Sequence, residues 1–306
     1  MSLKIVFMGT PGFSIPTLKA LIKNKFNILS VYTQSPKKSK RGQKINVSPI
    51  EEFSKNNKLN LRNPTNLNSD EELKIFKGLS ADLVIVVAYG QIIPKNFLNE
   101  SKFGFINIHA SLLPKWRGAA PIQRAIMSGD TKIGVSIMKI EEKLDSGPVL
   151  SVKELDLNQT VTYGEIEKKL SVIGADALIE SLKEIKNGKA KFIDQVHSEA
   201  TYANKIEKTE TKINWSLDVN KVIRHIHGLS PNPGAWFEYE NERFKVLRAK
   251  KSSGIGKPGS ILDENLTIAC KSDSVRILEI QRQGKNKQTS KDFLLGKKIS
   301  KGSILT

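Results

Sequence analysis

Asp82-Leu-Val-Ile-Val-Val-Ala88 is a run of six apolar residues behind a single carboxylate, with no alternation of polar and apolar positions. A strand that shows one face to water alternates. A continuous, mostly β-branched run therefore predicts a strand covered on both faces, as at the centre of a parallel sheet flanked by helices. Working outward, Leu3-Lys-Ile-Val-Phe-Met8 and Ile28-Leu-Ser-Val-Tyr-Thr33 read as further strands, as do 104–108 and 134–140. Between the first two, Gly9-Thr-Pro-Gly12 turns into a helix through Leu18 and Leu21. Strands alternating with helical stretches predict an α/β fold: a doubly wound, mostly parallel sheet with right-handed crossovers. In such sheets ligands bind outside the carboxyl ends of the strands. That directs attention to 9–12, 88–90 and 107–118.

Further along, Ile166, Leu170, Ile173, Ala177, Ile179 and Leu182 recur at helical spacing over 163–187, and Asn187-Gly188 supplies a stop signal. Residues 189–208 read as a linker with a strand or two. Short β-like segments at 234–239, 243–250, 259–262, 265–270 and 274–281, separated by Gly, Pro, Asn and Asp, predict a small barrel or sandwich. The expected division is 1–203, with the linker from about 189, and 204–306.

The length of 306 residues suits two domains, and 39% hydrophobic residues suffice for packed cores. No apolar run reaches the roughly 18–20 residues of a membrane span, and no charged region and cleavage site precede the first strand. The single cysteine, Cys270, excludes internal disulfides and a cysteine zinc cage. The expectation is a soluble cytoplasmic protein that needs no metal. With 49 Lys+Arg against 31 Asp+Glu the net charge is +18, which suits either a polyanionic partner or a Lys-rich solvated surface. Residues 1–203 carry 29 basic and 20 acidic residues, and 204–306 carry 20 and 11, so the last third has about twice the charge density. The stretch 34–49 contains Lys37, Lys38, Lys40, Arg41 and Lys44 with no apolar periodicity, and reads as a basic loop.

Gly9-Thr-Pro-Gly12 lacks the G-x-G-x-x-G spacing of a dinucleotide site, and Pro11 removes an N–H that a pyrophosphate would use. Gln34-Ser-Pro36 also stands where an acidic residue would be needed. A tight βα turn is the better reading. The richest segment is Asn107-Ile-His109-Ala-Ser-Leu-Leu-Pro-Lys-Trp-Arg-Gly118. Asn107 and His109 are two apart, so on a strand they share a face. Asp145 lies in a Gly/Pro turn, Leu144-Asp-Ser-Gly-Pro148, after a further strand. An amide, an imidazole and a carboxylate on neighbouring strand ends suit acyl or formyl transfer, in which an oxyanion must be stabilised and a proton removed. No G-x-S-x-G nucleophile is present, which favours direct transfer.

At these residues the chain resembles the methionyl-tRNA formyltransferase family. The resemblance takes in Met8-Gly-Thr-Pro-Gly12, Val86-Val-Ala-Tyr-Gly90, Gly104-Phe-Ile-Asn-Ile-His109 and Ser111-Leu-Leu-Pro-Lys-Trp-Arg-Gly-Ala-Ala-Pro-Ile-Gln123. It continues through Leu144-Asp-Ser-Gly147, Tyr202-Ala-Asn-Lys-Ile206 and Pro231-Asn-Pro-Gly-Ala-Trp236. It implies transfer of the formyl group of 10-formyltetrahydrofolate to the α-amino group of methionyl initiator tRNA, in a monomer. By position, Asn107, His109 and Asp145 would be catalytic. Ser111, Leu112, Leu113 and Pro114 match the folate signature, and Val87, Ala88, Tyr89 and Gly90 would line the pterin pocket with backbone groups. Lys37, Lys38, Lys40, Arg41 and Lys44 would meet the tRNA. The first domain would be the formyltransferase-type, Rossmann-like catalytic domain, and 204–306 an OB-like barrel that binds tRNA. Asn214 departs from the aspartate frequent in that family. The rival readings are a sugar-nucleotide amine formyltransferase of the same superfamily and a non-catalytic RNA-binding relative.

Overall fold

The computed structural model describes residues 3–38 and 45–306. Seven strands form the first sheet: β1 (Lys4–Gly9), β2 (Asn27–Tyr32), β3 (Leu61–Arg62), β4 (Leu83–Val87), β5 (Phe105–His109), β6 (Lys132–Lys139) and β7 (Val149–Asp156). Their order is β7-β6-β5-β4-β1-β2-β3. The pairs β1–β2, β1–β4, β4–β5 and β2–β3 are parallel, and β5–β6 is antiparallel. The chain leaves β1 for β2 and β3 on one side, then returns to β4 on the other. The crevice where this order reverses lies at the carboxyl ends of β1 and β4, beside the turn at residues 88–90.

The apolar run 82–88 forms this central strand, and all five residues of β4 are buried. On one face Phe76 packs against Tyr32, Phe97 and Phe105, with ring centroids 6.1, 4.9 and 5.9 Å apart. Fully burying a Phe contributes roughly 1.5–3 kcal/mol, so this cluster anchors the helix Asp70–Leu79 that carries Phe76. Ser48 and Ser69 begin the helices Pro49–Asn56 and Asp70–Leu79, their hydroxyls accepting from the amides of Glu51 and Glu72. The stretch 34–49 is not loop throughout. Lys37–Lys38 pairs antiparallel with Ile45–Asn46, a backbone ladder that needs no apolar face and so leaves no periodicity in the sequence. Lys40, Arg41 and Lys44 lie outside the described residues.

In the second part, β8 (Ala235–Tyr239), β9 (Glu242–Ser252), β10 (Thr267–Ala269), β11 (Ser274–Arg282) and β12 (Lys287–Thr289) form an antiparallel sheet. Its order is β8-β9-β11-β10, with β12 also pairing with β11. The register shifts in β9 on both sides of Arg248. Such irregularities bend a strand and curl a small sheet towards the half-barrel form. The segment expected as a strand at 259–262 contributes only isolated bridges, Ser260 with Ile304 and Ile261 with Ile268. Helix Val219–Leu229 turns Val219, Val222, Ile223, Ile226 and Leu229 inward, and these share a core with Phe237, Phe244 and Phe293.

The chain forms two compact units. One comprises Met1–Gly118, Gly134–Leu155 and Lys168–Tyr202; the other comprises Ala119–Ile133, Asp156–Glu167 and Ala203–Thr306. Where the sequence suggests one boundary after residue 203, two earlier segments also cluster with the second unit.

Candidate active site

Strand β5 brings the first two candidates to the carboxyl edge of the sheet. Asn107 lies between Val86 of β4 and Met138 of β6, and His109 lies opposite Ser136. Asn107 is half-buried, and its side-chain amide has no hydrogen-bond partner among the described residues. Its two N–H donors are therefore uncommitted among the described residues. His109 is 5% exposed, and its Nε2 meets the Trp116 carbonyl at 2.9 Å. A carbonyl only accepts, so Nε2 carries a proton and donates. The other ring nitrogen, Nδ1, lies 3.6 Å from Asp145 Oδ2. The structure thus brings His109 and Asp145 together, with Nδ1 as the ring nitrogen turned towards the carboxylate.

Asp145 is held in an uncommon conformation. Its φ is 46°, in the left-handed region that costs a non-glycine residue of order 1 kcal/mol or more. Oδ2 accepts from the Gly118 amide at 2.8 Å. Two residues on, Gly147 passes so close to β6 that a Cβ there would stand 2.2 Å from the Lys139 carbonyl oxygen, which only glycine avoids. The carbonyls of Asp145 and Gly147 both accept from Gln195 Nε2, at 2.9 and 2.7 Å. Gln195 Oε1 in turn accepts from Arg117 Nε and Nη2, at 3.1 and 2.7 Å. Arg117 Nη2 also meets His197 Nδ1 at 2.9 Å. Arg117 is 4% exposed, and among the described residues it has no carboxylate partner.

The residues expected to hold folate divide by function in the structure. Ser111 donates its hydroxyl to the Lys115 carbonyl, and its own carbonyl accepts from Ser136 Oγ. Ser136 Oγ also accepts from the Leu113 amide, so one buried serine fixes both ends of the turn. Leu112, Leu113 and Pro114 are half-buried beside it, with a cis peptide before Pro114. In the other group, Val87 and the Tyr89 ring belong to the core, while Ala88 and Gly90 are exposed at positive φ. Burial, with the charge of Glu72, pushes the Tyr89 phenol well above its ordinary range, so it stays neutral. The Val87 carbonyl already accepts from Ser14 Oγ, the Tyr89 carbonyl from Thr10 Oγ1 and Gln34 Nε2, and the Gly90 carbonyl from Gln34 Nε2.

A cavity of about 1020 Å³ opens along the segment that leads into Asp145. Its walls include Leu98, Ile140, Lys143, Leu144, Arg117 and His197. None of the eight residues expected to contact folate is among them. Ser136, Arg117 and Gln195 are parts of the site that sequence reasoning does not single out. Arg117 lies inside the 107–118 segment, but Gln195 falls in a polar linker that carries no signal.

The formyl transferase family model matches residues 3–182, and the formyl transferase C-terminal domain model matches 205–298. Methionyl-tRNA formyltransferase of Pelagibacter ubique is 49% identical, over 100% of this chain and 99% of its own length. That of Bradyrhizobium diazoefficiens is 42% identical, over 100% of both chains. Among solved structures, methionyl-tRNA formyltransferase from Clostridium thermocellum shares the fold with a TM-score of 0.59 at 20% identity, covering 82% of this chain and 94% of its own. Two matched domains, full-length relatives at this identity and an Asn–His–Asp constellation at the sheet edge agree, and the chain belongs to the methionyl-tRNA formyltransferase family.

Proposed function

We propose that Asn107, His109 and Asp145 carry out the family's formylation of methionyl initiator tRNA in this chain, by direct transfer. The observation that carries the assignment is the approach of His109 Nδ1 to Asp145 Oδ2 at the end of β5, beside the uncommitted amide of Asn107. The methionyl amine attacks the formyl carbon, the carbon bond to the donor nitrogen breaks, and the proton lost by the amine balances the one the donor nitrogen gains. Asn107 donates to the formyl oxygen as it becomes an oxyanion, and His109 faces the same centre through Nδ1. Asp145 accepts or organises the proton leaving the amine.

The donor in this reading is 10-formyltetrahydrofolate, which supplies the activated formyl group. The cavity of about 1020 Å³ near Asp145 carries Glu141 and Glu142 as well as Arg117 and Lys143 in its walls and none of the proposed folate contacts, so the donor is proposed to lie at the turns and not in that cavity. Ser111, Leu112, Leu113 and Pro114, and the backbone of Val87, Ala88, Tyr89 and Gly90, are the proposed contacts. Their role in shaping the turns is supported by the Ser136 and Gln34 hydrogen bonds. Lys37, Lys38, Lys40, Arg41 and Lys44 are proposed to meet the tRNA, with the basic second unit, Ala203–Thr306 in its longest segment, taking further phosphates. The proposed setting is a cytoplasmic monomer, and among the described residues no helix is long and apolar enough to cross a membrane. The test is formylation of charged initiator tRNA by the purified chain, with and without the folate donor. Product that forms only with the donor is expected, and absence of product would sink the reading.

A further inference from the structure

We infer that Gln195 is a positioning residue for Asp145: its amide fixes the backbone of the Asp145–Gly147 turn and ties it to the buried guanidinium of Arg117. The inference rests on the reading of Asp145 as part of the reaction.

Chemistry dictates which way this amide points. Arg117 can only donate, so the side-chain oxygen of Gln195 must face it; the carbonyls of Asp145 and Gly147 can only accept, so the NH₂ group must face them. All four bonds are present, from 2.7 to 3.1 Å, and Gln195 is 8% exposed. A residue that accepts twice at one end and donates twice at the other has no isosteric substitute among the side chains. The turn it holds needs holding. Asp145 is at φ 46°, and Gly147 is pressed against the Lys139 carbonyl. From the other side the Gly118 amide grips Asp145 Oδ2. Gly118 follows Arg117 directly, so one dipeptide secures the carboxylate through its own N–H and the carboxylate's backbone through Gln195. The placement of Oδ2 at 3.6 Å from His109 Nδ1 thus depends on a residue 50 positions away in sequence.

Gln195→Glu separates positioning from mere support. A glutamate keeps the length of the side chain and forms an ion pair with Arg117, so the linker stays anchored and the fold is retained. The same change removes both donors to the turn and sets a carboxylate oxygen against two carbonyls. Misplacing a reacting group by about 1 Å can cost on the order of 10²-fold in rate. The expected result is therefore a thermal midpoint close to that of the parent and a kcat lower by roughly tenfold to a hundredfold. KM for the charged tRNA should be unchanged. Gln195→Ala, which loses both ends, should lower the thermal midpoint as well as kcat. Asp145→Ala is assayed in parallel. If Asp145→Ala is inactive while Gln195→Glu turns over like the parent, the positioning role is overturned and the catalytic reading stands. If Asp145→Ala itself retains activity, the catalytic reading fails first. Loss of the fold in Gln195→Glu would also overturn the inference, because the ion pair with Arg117 requires a stable chain.

Discussion

Arg62 and Arg117 are both drawn into the first unit, and they meet different partners. Arg62 forks onto Glu72, Nε to Oε1 at 2.9 Å and Nη2 to Oε2 at 2.7 Å, with its side chain still 30% exposed. Arg117 is more deeply buried, and among the described residues its guanidinium meets an amide oxygen and an imidazole. Burial pushes the Glu72 carboxyl up, but the hydrogen bonds and charge of Arg62 outweigh it and hold Glu72 below the usual carboxylate range. Arg62 is therefore neutralised where it stands and serves the fold. Arg117 keeps its charge undivided beside a large cavity and one residue from the amide that grips Asp145. A buried cation without a carboxylate among the described residues is costly, and here it stands beside the proposed site.

The contrast can be broken most directly by removing what each arginine serves. Asp145→Ala and Asn107→Ala should each lower kcat by about 10²–10³, the usual cost of losing one stabilising group at the reacting centre, while thermal unfolding stays close to that of the parent. Near-parent formylation by either folded variant would remove it from the catalytic set. Glu72→Ala should do the opposite, leaving turnover per folded molecule intact. It strands Arg62 and should cost about 3 kcal/mol, the low end for breaking a buried pair because Arg62 remains partly in water. Urea titration reads that loss, and an unchanged midpoint would mean that the pair adds nothing.

A smaller effect tests buried histidines in the second unit. Burial pushes His225 and His227 below their ordinary range. His227 Nδ1 donates to the Gln159 carbonyl at 3.2 Å, and Nε2 accepts from the Ala249 amide at 3.3 Å, so the neutral ring has both nitrogens engaged. With the folded value depressed, the stabilisation is complete above the unfolded value of about 6.5 and is lost as pH falls through the folded one. The thermal midpoint should fall on acidification below that range, and less so in His227→Asn. An equal fall in both would exclude His227 as a source. The smallest expected change is in a salt dependence. Arg41→Ala should flatten the logarithmic salt dependence of kcat/KM for tRNA by roughly 0.7–0.9, the counterion release of a single phosphate. An unaltered slope would remove Arg41 from the tRNA surface.

What can be read from sequence follows from how local each signal is. The central strand and the pairing of Asn107 with His109 are visible because burial and a two-residue period leave their mark within a few positions. β7 leaves no such mark because it lies at the sheet edge, with exposed and half-buried residues but none buried. Helix Val219–Leu229 has a clear apolar stripe, but it lies among turn-forming residues before a run of strands. Gln195 is beyond reach for a different reason. Its partners are 78, 50 and 48 residues away, and nothing in a polar linker marks one amide as the one that meets them.

The interleaving of the second unit sets an order in time. Helix Pro121–Ser128 belongs to that unit, where Arg124 forks onto Glu210 and the chain at Met127 and Gln123 crowds against Gly228. A ribosome makes Arg124 86 residues before its carboxylate partner. At about 5–20 residues per second that interval lasts roughly 4–17 seconds, during which the helix lacks Glu210 and the packing of the later helix Val219–Leu229. Until residue 229 is made, the face of this helix that meets Val219–Leu229 stays open to sticking or to capture by a chaperone, and a pause in translation there would lengthen that exposure.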